Sequence, residues 1–145
     1  MRLLIDANII LDCLVTEKSG LARPGKSASE CVINLCDQQI HQGLVAWHTL
    51  PIISYYHRRQ HNESDTAAMM DALLSFLEVP TVGHADASSW QLHGTGDFED
   101  ALQIASAISG RADYVITRNI SHFEKSSVPA MTPEEFILAT NSQPG

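Results

Sequence analysis

The sequence predicts an α/β fold with a mainly parallel central sheet. Three observations support this fold class. Short apolar segments alternate with segments of helical periodicity, Gly, Pro and Ser mark the connections, and acids or amides directly follow several of the apolar segments. Strands that alternate with helices are typical of a parallel sheet. The length of 145 residues suits one hydrophobic core, so we expect a single domain over residues 1–145.

The elements of the first half follow from apolar periodicity and from turn residues. Val32 and Leu35 lie on one apolar face of the first long helix, and Asn62 and Ser64 favour helix caps between the next two. The expected elements are, in order, a strand at 3–5, an apolar helix or turn at 9–15, a loop at 17–26, a helix at 27–41, a strand at 44–47 and helices at 49–61 and 65–77.

The second half continues the same alternation. Gly110 follows an apolar segment and predicts the end of a helix. Thr132 and Glu135 match a capping box, with Pro133 at the first helical position. The expected elements are a strand at 79–82, a helix at 85–93, a turn at 94–96, a helix at 98–109, strands at 114–117 and 128–131, and a last helix from residue 133.

The composition is that of a soluble globular protein, with 44% hydrophobic and 18% charged residues. Asp6 and Asp12 interrupt the apolar start of the chain, so we expect neither a membrane span nor an export signal there. Cys13, Cys31 and Cys36 form no CxxC pair, which predicts reduced, buried thiols and a cytoplasmic location. The formal charge of −8 argues against a surface that coats nucleic acid broadly. Nuclease chemistry stays open, because a metal site itself collects acids.

Polar side chains follow two of the expected strands and open one of the expected helices. Asp6 comes directly after the first strand, and Asn119 follows the strand at 114–117. In a parallel sheet, the carboxyl ends of the strands and the amino ends of the following helices meet along one edge, where sites form. We therefore expect Asp6, Asn119 and the acids of the 98–109 helix to share one edge of the sheet.

Three carboxylates, Asp97, Glu99 and Asp100, occur within four residues ahead of an uncharged segment, and two interpretations compete. In the first, Asp97 caps the helix and the other acids interact favourably with its dipole. In the second, the apolar helix is buried, and carboxylates gathered at its start repel one another unless a cation joins them. Oxygen ligands of this kind suit Mg²⁺ or Mn²⁺.

Residues 20–27 (GLARPGKS) match the P-loop expression, and a helix is expected to follow. The strand that must precede a P-loop is missing, because residues 16–19 are polar. Pro24 also lacks the N–H group that such a loop offers to a phosphate. Nucleotide binding is therefore the third and least favoured hypothesis, and a basic surface loop is the better interpretation.

Residues 54–61 (SYYHRRQH) combine aromatic and basic side chains near the end of an expected helix. The favoured interpretation is a solvated helix end. The second is that Arg58 and Arg59 contact RNA or an acidic partner peptide. Zinc binding by His57 and His61 ranks third, because no further ligand is evident.

Three segments carry a resemblance to a known family: LLIDANIILDCL, DFEDALQIASAISGRADYVITRNISHF and VPAMTPEEFI. Together they resemble a bacterial PIN domain, the fold of VapC-type toxin ribonucleases, also described as similar to the PilT N-terminus. The resemblance implies a three-layer α/β/α sandwich with a mainly parallel sheet of about five strands. It also implies a Mg²⁺- or Mn²⁺-dependent endoribonuclease that cleaves RNA with an activated water, forms a homodimer and is held in check by an antitoxin.

The resemblance assigns roles by position in the motifs. Asp6 matches the family's first acid and Asp100 its third, with Asp97 assisting them as metal ligands. Asn119 stands where many members have a final Asp, and Arg118 beside it could hold an RNA phosphate. The implied catalytic residues are Asp6, Asp97, Asp100 and Asn119, and the implied accessory residues are Asn8 and Glu99.

Two departures from the family pattern bear on activity. Pro51 and Ile52 occupy the helix start where the second acid usually stands, and Asn119 is neutral. The loss of two formal negative charges predicts weaker metal affinity. The alternative hypothesis is therefore a catalytically weakened PIN-like module that binds RNA or a protein without cutting.

Overall fold

The protein is described by a computed structural model over residues 1–142, and its core is a five-stranded sheet in which every pairing is parallel. The strand order is β3-β2-β1-β4-β5. The strands are β1 (Arg2–Ile5), β2 (Gln42–Leu44), β3 (Leu77–Glu78), β4 (Tyr114–Ile116) and β5 (Ala130–Met131). This architecture confirms the predicted α/β fold with a parallel sheet of five strands.

Helices cover both faces of the sheet. The α-helices are α1 (Ala7–Leu14), α2 (Lys26–Asp37), α3 (Leu50–Arg58), α4 (Glu63–Leu74), α5 (His84–Ser88), α6 (Phe98–Ser109) and α7 (Pro133–Asn141). Short 3-10 helices lie at Trp47–Thr49, Trp90–His93 and Ile120–Phe123. None of the helices in residues 1–142 combines the length and the apolar character that crossing a bilayer requires.

The central strand β1 divides the core into two layers, because successive side chains of a strand point to opposite faces. Leu3 and Ile5 pack with side chains of α1, α2, α3, α4 and α7 on one face. Leu4 packs with Ile104 of α6 and with Phe123 on the other face. All three strand residues are fully buried. The sandwich therefore places α6, together with Phe123, on the face opposite to the other long helices, with the first turn of α6 at the carboxyl edge of the sheet.

Several predicted boundaries are wrong because pairing, not composition, sets the short strands. The strand expected at 79–82 lies at Leu77–Glu78, where Gly43 pairs with Leu77 and the next residues pair in register. Pro80 follows this strand and has no N–H group to donate. The strand expected at 44–47 lies at Gln42–Leu44 and is followed by a 3-10 helix.

Several helices also differ from their predicted limits, and those expected at 49–61 and 65–77 lie at Leu50–Arg58 and Glu63–Leu74. The first long helix ends at Asp37 rather than at residue 41, and Gln39 beyond it has a left-handed φ of 58°. The helix expected at 85–93 divides into α5 and a 3-10 helix. The predicted capping box of α7 is confirmed, since the Thr132 hydroxyl accepts from the Glu135 N–H at 3.2 Å and Glu135 accepts from the Thr132 N–H at 2.8 Å.

The three cysteines are free thiols. Cys36 is buried and Cys13 is half-buried, as the prediction requires of small apolar side chains. The prediction is wrong for Cys31, which is exposed on the solvent side of α2.

Candidate active site

Asp6 is fixed at the carboxyl end of the central strand. Its backbone N–H donates to the Ile116 carbonyl at 3.0 Å, which continues the pairing between β1 and β4. One carboxylate oxygen accepts from the Thr117 hydroxyl at 2.7 Å, and the other accepts from the Gln103 side-chain amide at 2.9 Å. Asp6 is 8% exposed, and the two hydrogen bonds leave its carboxylate little freedom to rotate.

The first turn of α6 collects the other acids. Asp97 is the N-cap, and its carboxylate accepts from the Asp100 N–H at 3.0 Å. Asp97, Glu99 and Asp100 each offer an oxygen within 4.8 Å of the others. Asp97 is exposed, whereas Asp100 is buried. Asp97 thus caps the helix and also belongs to the cluster of carboxylates, so the first turn of α6 agrees with both interpretations.

Gln103 connects Asp6 to this acidic turn. Its amide donates at 2.9 Å to Asp6, which lies 97 residues away in sequence, and at 3.3 Å to Glu99, so one side chain joins carboxylates from two distant segments. Gln103 is 1% exposed, and its own carbonyl oxygen has no hydrogen-bond partner among residues 1–142. We define the acidic site as Asp6, Asp97, Glu99 and Asp100, with Gln103 between its two parts.

Burial makes the charged forms of two of these acids costly. It is the main cause that raises the pKa of Asp6 above 3.8, with a further increase from the negative charge of Glu99. Burial likewise raises the pKa of Asp100, to which Asp97 and Glu99 add repulsion, while His122 acts in the opposite direction. A positive charge at the site would offset both penalties.

Two histidines that the sequence did not single out face the acidic site. The His48 Nε2 atom lies 3.1 Å from a Glu99 carboxylate oxygen, and His122 Nδ1 lies 3.2 Å from Asp100. Both histidines come shortly after a strand, His48 after β2 and His122 after β4. Residues that follow parallel strands gather at one edge of the sheet, and this argument, which located Asp6, would have located both histidines as well. Gln103 carried a weaker signal, as a polar residue inside an otherwise apolar helix.

The two asparagines implied by the resemblance lie differently. The Asn8 side-chain oxygen is buried and has no hydrogen-bond partner within residues 1–142. Asn119 is exposed, and its backbone N–H donates to the Thr117 hydroxyl at 3.0 Å. A buried oxygen without a partner is unusual in a folded protein and points to a missing donor, water or ion.

The donor atoms fit a hard divalent cation. The carboxylate oxygens of Asp97, Glu99 and Asp100 lie within 4.8 Å of one another, whereas Asp6 stands outside this group and is linked to it through Gln103. The buried amide oxygens of Asn8 and Gln103 have no hydrogen-bond partner within residues 1–142. Such all-oxygen sets suit Mg²⁺ or Mn²⁺ better than metals that prefer sulfur or imidazole. The raised pKa values of Asp6 and Asp100 agree with this fit, because a bound cation would stabilise their ionised forms.

Arg118 is engaged within the protein. Its guanidinium donates to buried Asp12 at 3.0 Å and to Glu134 of α7 at 2.7 Å, and it also contacts the Gly25 carbonyl and Ser29. The pKa of Arg118 is raised by the hydrogen bonds to Glu134 and Asp12, against the opposing effect of burial. Its contact with RNA stays a prediction, and a phosphate there would compete with Glu134.

The same arginine explains the P-loop-like segment. Gly25 has a left-handed φ of 79°, and a Cβ atom at this position would overlap the Arg118 guanidinium. No strand lies directly before Gly20 in the described chain, where residue 16 forms only an isolated bridge with residue 22. The glycine thus serves an internal contact, and the nucleotide-binding hypothesis loses its structural basis.

The histidines and the arginines at the end of α3 have different environments. His57 is buried, accepts or donates a hydrogen bond with Thr66 at 2.7 Å, and stacks on His61 at 4.1 Å. No further metal-binding side chain joins the two histidines in the part of the chain described, which disfavours zinc. Arg58 and Arg59 are exposed. Arg59 lies over the Tyr55 ring at 5.9 Å and lines a cleft of about 530 Å³ that Lys18 also lines.

A comparison with family models gives the identity of the fold. The model described as PIN domain matches residues 2–121. The chain belongs to the PIN domain family. No curated protein matches its sequence. The matched segment contains β1 to β4 and the whole acidic site. PIN domains are generally nucleases and typically use divalent metals, so the family supports a hydrolase that acts on nucleic acid.

Proposed function

We propose that this PIN domain is a Mg²⁺- or Mn²⁺-dependent endoribonuclease, folded as one domain over residues 1–145. The observation that carries the proposal is the Gln103 bridge, which joins Asp6 to Glu99 in the first turn of α6 at the carboxyl edge of the sheet. A role in helix capping alone would not require an acid of this turn to be linked to a buried carboxylate from another motif. The cost of ionising Asp6 and Asp100 supports the same conclusion.

In this proposal Asp6 and Asp100 are the principal metal ligands, and Asp97 assists them. The bound ion would lower the pKa of a water and offset the charge on the scissile phosphate. Thr117 and Gln103 hold the Asp6 carboxylate, so it needs little reorganisation to act. The catalytic set is completed by Asn119, which could orient a water or a ligand by hydrogen bonding.

The accessory residues act through the ligands. Glu99 accepts one hydrogen bond from Gln103 and lies beside His48, and His122 faces Asp100. These contacts limit the rotation of both carboxylates. Asn8 offers its unpartnered oxygen to a water or ion at the same edge.

The resemblance to VapC-type toxins supports a biological role for this activity. We propose a cytoplasmic toxin that is inhibited by an antitoxin protein and that functions as a homodimer. Arg58 and Arg59, exposed at the end of α3, are proposed contacts for RNA or for an acidic segment of the antitoxin.

Cleavage of RNA tests the proposed activity. Purified protein should cut a structured RNA with unpaired loops in Mn²⁺ or Mg²⁺, and EDTA should stop the reaction. Asp6→Asn should abolish cleavage. The matched control is Asp71→Asn, which removes one charge from the exposed side of α4, far in sequence from the acidic site. Equal cleavage by the Asp6 and control variants would refute the assignment of the site.

A second candidate function is favoured by the two departures from the family pattern. Pro51 and Ile52 are exposed at the start of α3, and neither they nor Asn119 can supply a charge to a cation. A binding module that has lost catalysis would still bind RNA or its partner. It would show binding in Ca²⁺ and in Mn²⁺ but no cleavage in either ion.

A further inference from the structure

A short connection between β4 and the following 3-10 helix holds the carboxylate of Asp6. The Thr117 hydroxyl donates to that carboxylate at 2.7 Å and accepts from the Asn119 N–H at 3.0 Å. Asn119 has a φ of −103° and a ψ of 60°, which are typical of neither a helix nor a strand. Residues 117–119 belong to no helix or strand, so side-chain contacts must anchor them.

The Arg118 side chain supplies this anchor. Its Nε atom donates to Asp12 of α1 at 3.0 Å, and one terminal nitrogen donates to both carboxylate oxygens of Glu134 of α7 at 2.7 and 3.0 Å. The other terminal nitrogen donates to the Gly25 carbonyl at 2.9 Å and to the Ser29 hydroxyl at 3.0 Å. A guanidinium has five N–H groups in one plane, and these hydrogen bonds use that donor capacity in full. One side chain thus joins the connection to α1, α2 and α7.

The surroundings of Arg118 fit an internal role. Asp12 is 3% exposed and also accepts from the Ser29 hydroxyl at 2.7 Å, so its charge is held inside the fold. An Arg118 side chain turned outward to an RNA phosphate would leave this carboxylate with the more distant Arg23, 3.4 Å away. Breaking a buried ion pair by removing one partner is strongly unfavourable. The contacts therefore favour an anchor over a phosphate contact.

Glu134 is presented by a helix that is itself fixed. Phe136 of α7 is 1% exposed and packs in the same core layer as Leu3 and Ile5 of β1. The pKa of Glu134 is lowered, mainly by its hydrogen bonds with Arg118, so the pair is ionised at neutral pH. A contact from α7, which lies outside the segment that matches the family, thereby supports residues 117–119.

We propose that Arg118 is a positioning residue that fixes residues 117–119 and, through the Thr117 hydroxyl, the carboxylate of Asp6. Glu134 completes the anchorage of Arg118. This role rests on the proposed function, because Asp6 is a ligand in the proposed cleavage site. A displacement of about 1 Å at a reacting group can lower a rate roughly 100-fold, and residues that orient metal ligands typically change activity by about 10- to 100-fold.

Steady-state cleavage of RNA in Mn²⁺ separates positioning from phosphate binding. Arg118→Met should lower kcat roughly 10- to 100-fold with little change in KM, because Arg118 does not touch the substrate. Arg118→Lys should recover only part of kcat, since an ammonium group cannot replace the planar fork of a guanidinium. Glu134→Gln, which removes the charge and keeps an oxygen acceptor, should give a smaller decrease.

Arg2→Met is the matched control. Arg2 donates to both carboxylate oxygens of Glu78 at 3.1 and 3.2 Å, and it begins β1 at the end of the strand opposite to Asp6. Loss of this second ion pair should leave kcat unchanged. A raised KM with an unchanged kcat in Arg118→Met would indicate a phosphate contact and would overturn the positioning role.

A double-mutant cycle tests the route through Thr117. In a Thr117→Val background, which keeps the shape of the side chain but removes the hydroxyl, Arg118→Met should lower kcat by no more than about 2-fold further. The full effect of Arg118→Met in that background would show that Arg118 does not act through Thr117, and the positioning role would fail.

Hydrogen exchange of the Asn119 amide provides a measurement that needs no activity. This N–H donates to Thr117, so Arg118→Met should raise its exchange rate roughly 10-fold or more, and by more than that of the Leu4 amide in the central strand. Equal increases at both amides would show a general loss of stability and would overturn the positioning role. If Asn119 exchange rises selectively while the wild type cleaves no RNA, the anchoring of residues 117–119 by Arg118 stands and the proposed nuclease function fails.

Discussion

Replacing Asp100 with Asn separates the two roles that an acid in the first turn of α6 can have. The cap itself survives the change, because Asp97 provides it by accepting from the residue 100 N–H. When no cation is bound, the charge of Asp100 contributes a favourable interaction with the helix dipole of about 0.3–1 kcal/mol. Against this gain stand burial and the repulsion from Asp97 and Glu99, which together raise its pKa.

The raised pKa of Asp100 determines how its contribution to the free energy of unfolding changes with pH. The folded protein holds a proton on Asp100 more tightly than the unfolded chain does, so this group favours folding at acid pH. The favourable contribution is lost as pH rises from 3.8 through the raised pKa of Asp100. At pH 7 and in EDTA, the free energy of unfolding of Asp100→Asn should therefore equal or exceed that of the wild type. At pH 3 the two proteins should differ little.

Cleavage should respond in the opposite way. Loss of a principal metal ligand removes several kcal/mol of transition-state stabilisation, which corresponds to a rate decrease of roughly 100-fold or more. Urea unfolding and RNA cleavage in Mn²⁺ measure the two effects in the same preparations, with Asp71→Asn as the charge control. A variant that is destabilised by about 1 kcal/mol and still cleaves at the wild-type rate would refute the metal role.

Further predictions concern the cation, the basic helix end and the internal arginine. Millimolar Mn²⁺ should raise the melting temperature of the wild-type protein, and Asp6→Asn should reduce this increase. The increase should become larger as pH rises through the raised pKa of Asp6. A melting temperature that Mn²⁺ leaves unchanged would contradict this prediction. Replacing Arg58 and Arg59 together with Ala should weaken RNA binding and lower its logarithmic salt slope by about 1 to 2, whereas intact RNA affinity with lost antitoxin binding would indicate a partner contact instead. Arg118→Met should lower the free energy of unfolding by about 1.5–3 kcal/mol, because the buried Asp12 carboxylate loses a charged donor. The control Arg58→Met should change that free energy by less than about 0.5 kcal/mol. Equal effects of the two variants in urea unfolding would show that the internal network contributes nothing.

The sequence predicts best where local signals agree. The limits of α6 were predicted correctly, because Asp97 can cap the helix and Gly110 follows its last residue, Ser109. The reason for Gly110 was nevertheless different. It has an ordinary helical φ of −76°, and a Cβ atom there would lie 2.7 Å from Leu44 and 2.8 Å from Pro80. Close packing across the fold, which no local pattern records, requires the glycine.

The remaining differences arise from contacts between distant segments. The sequence suggests an RNA phosphate as the partner of Arg118, and its ion pair with buried Asp12 could not be predicted because Asp12 is 106 positions away in sequence. His48 and His122 carry no periodic signal, and their place shortly after a strand was the available indication. The strand order adds that β2 and β4 both lie beside β1, which brings the two histidines to the acids. The acids themselves could be predicted, because Asp6 ends a clear apolar strand and parallel sheets gather such residues at one edge.

A crystal structure of the wild-type protein grown with Mn²⁺, with anomalous diffraction data, tests the central claim most directly. The claim is that acids from two distant motifs hold one divalent cation. We predict an anomalous peak bonded to carboxylate oxygens of Asp6 and Asp100, near Asp97, at metal–oxygen distances close to about 2.1–2.2 Å. A structure at saturating Mn²⁺ with no anomalous peak at this edge, and with Gln103 still bridging Asp6 and Glu99, would contradict the account.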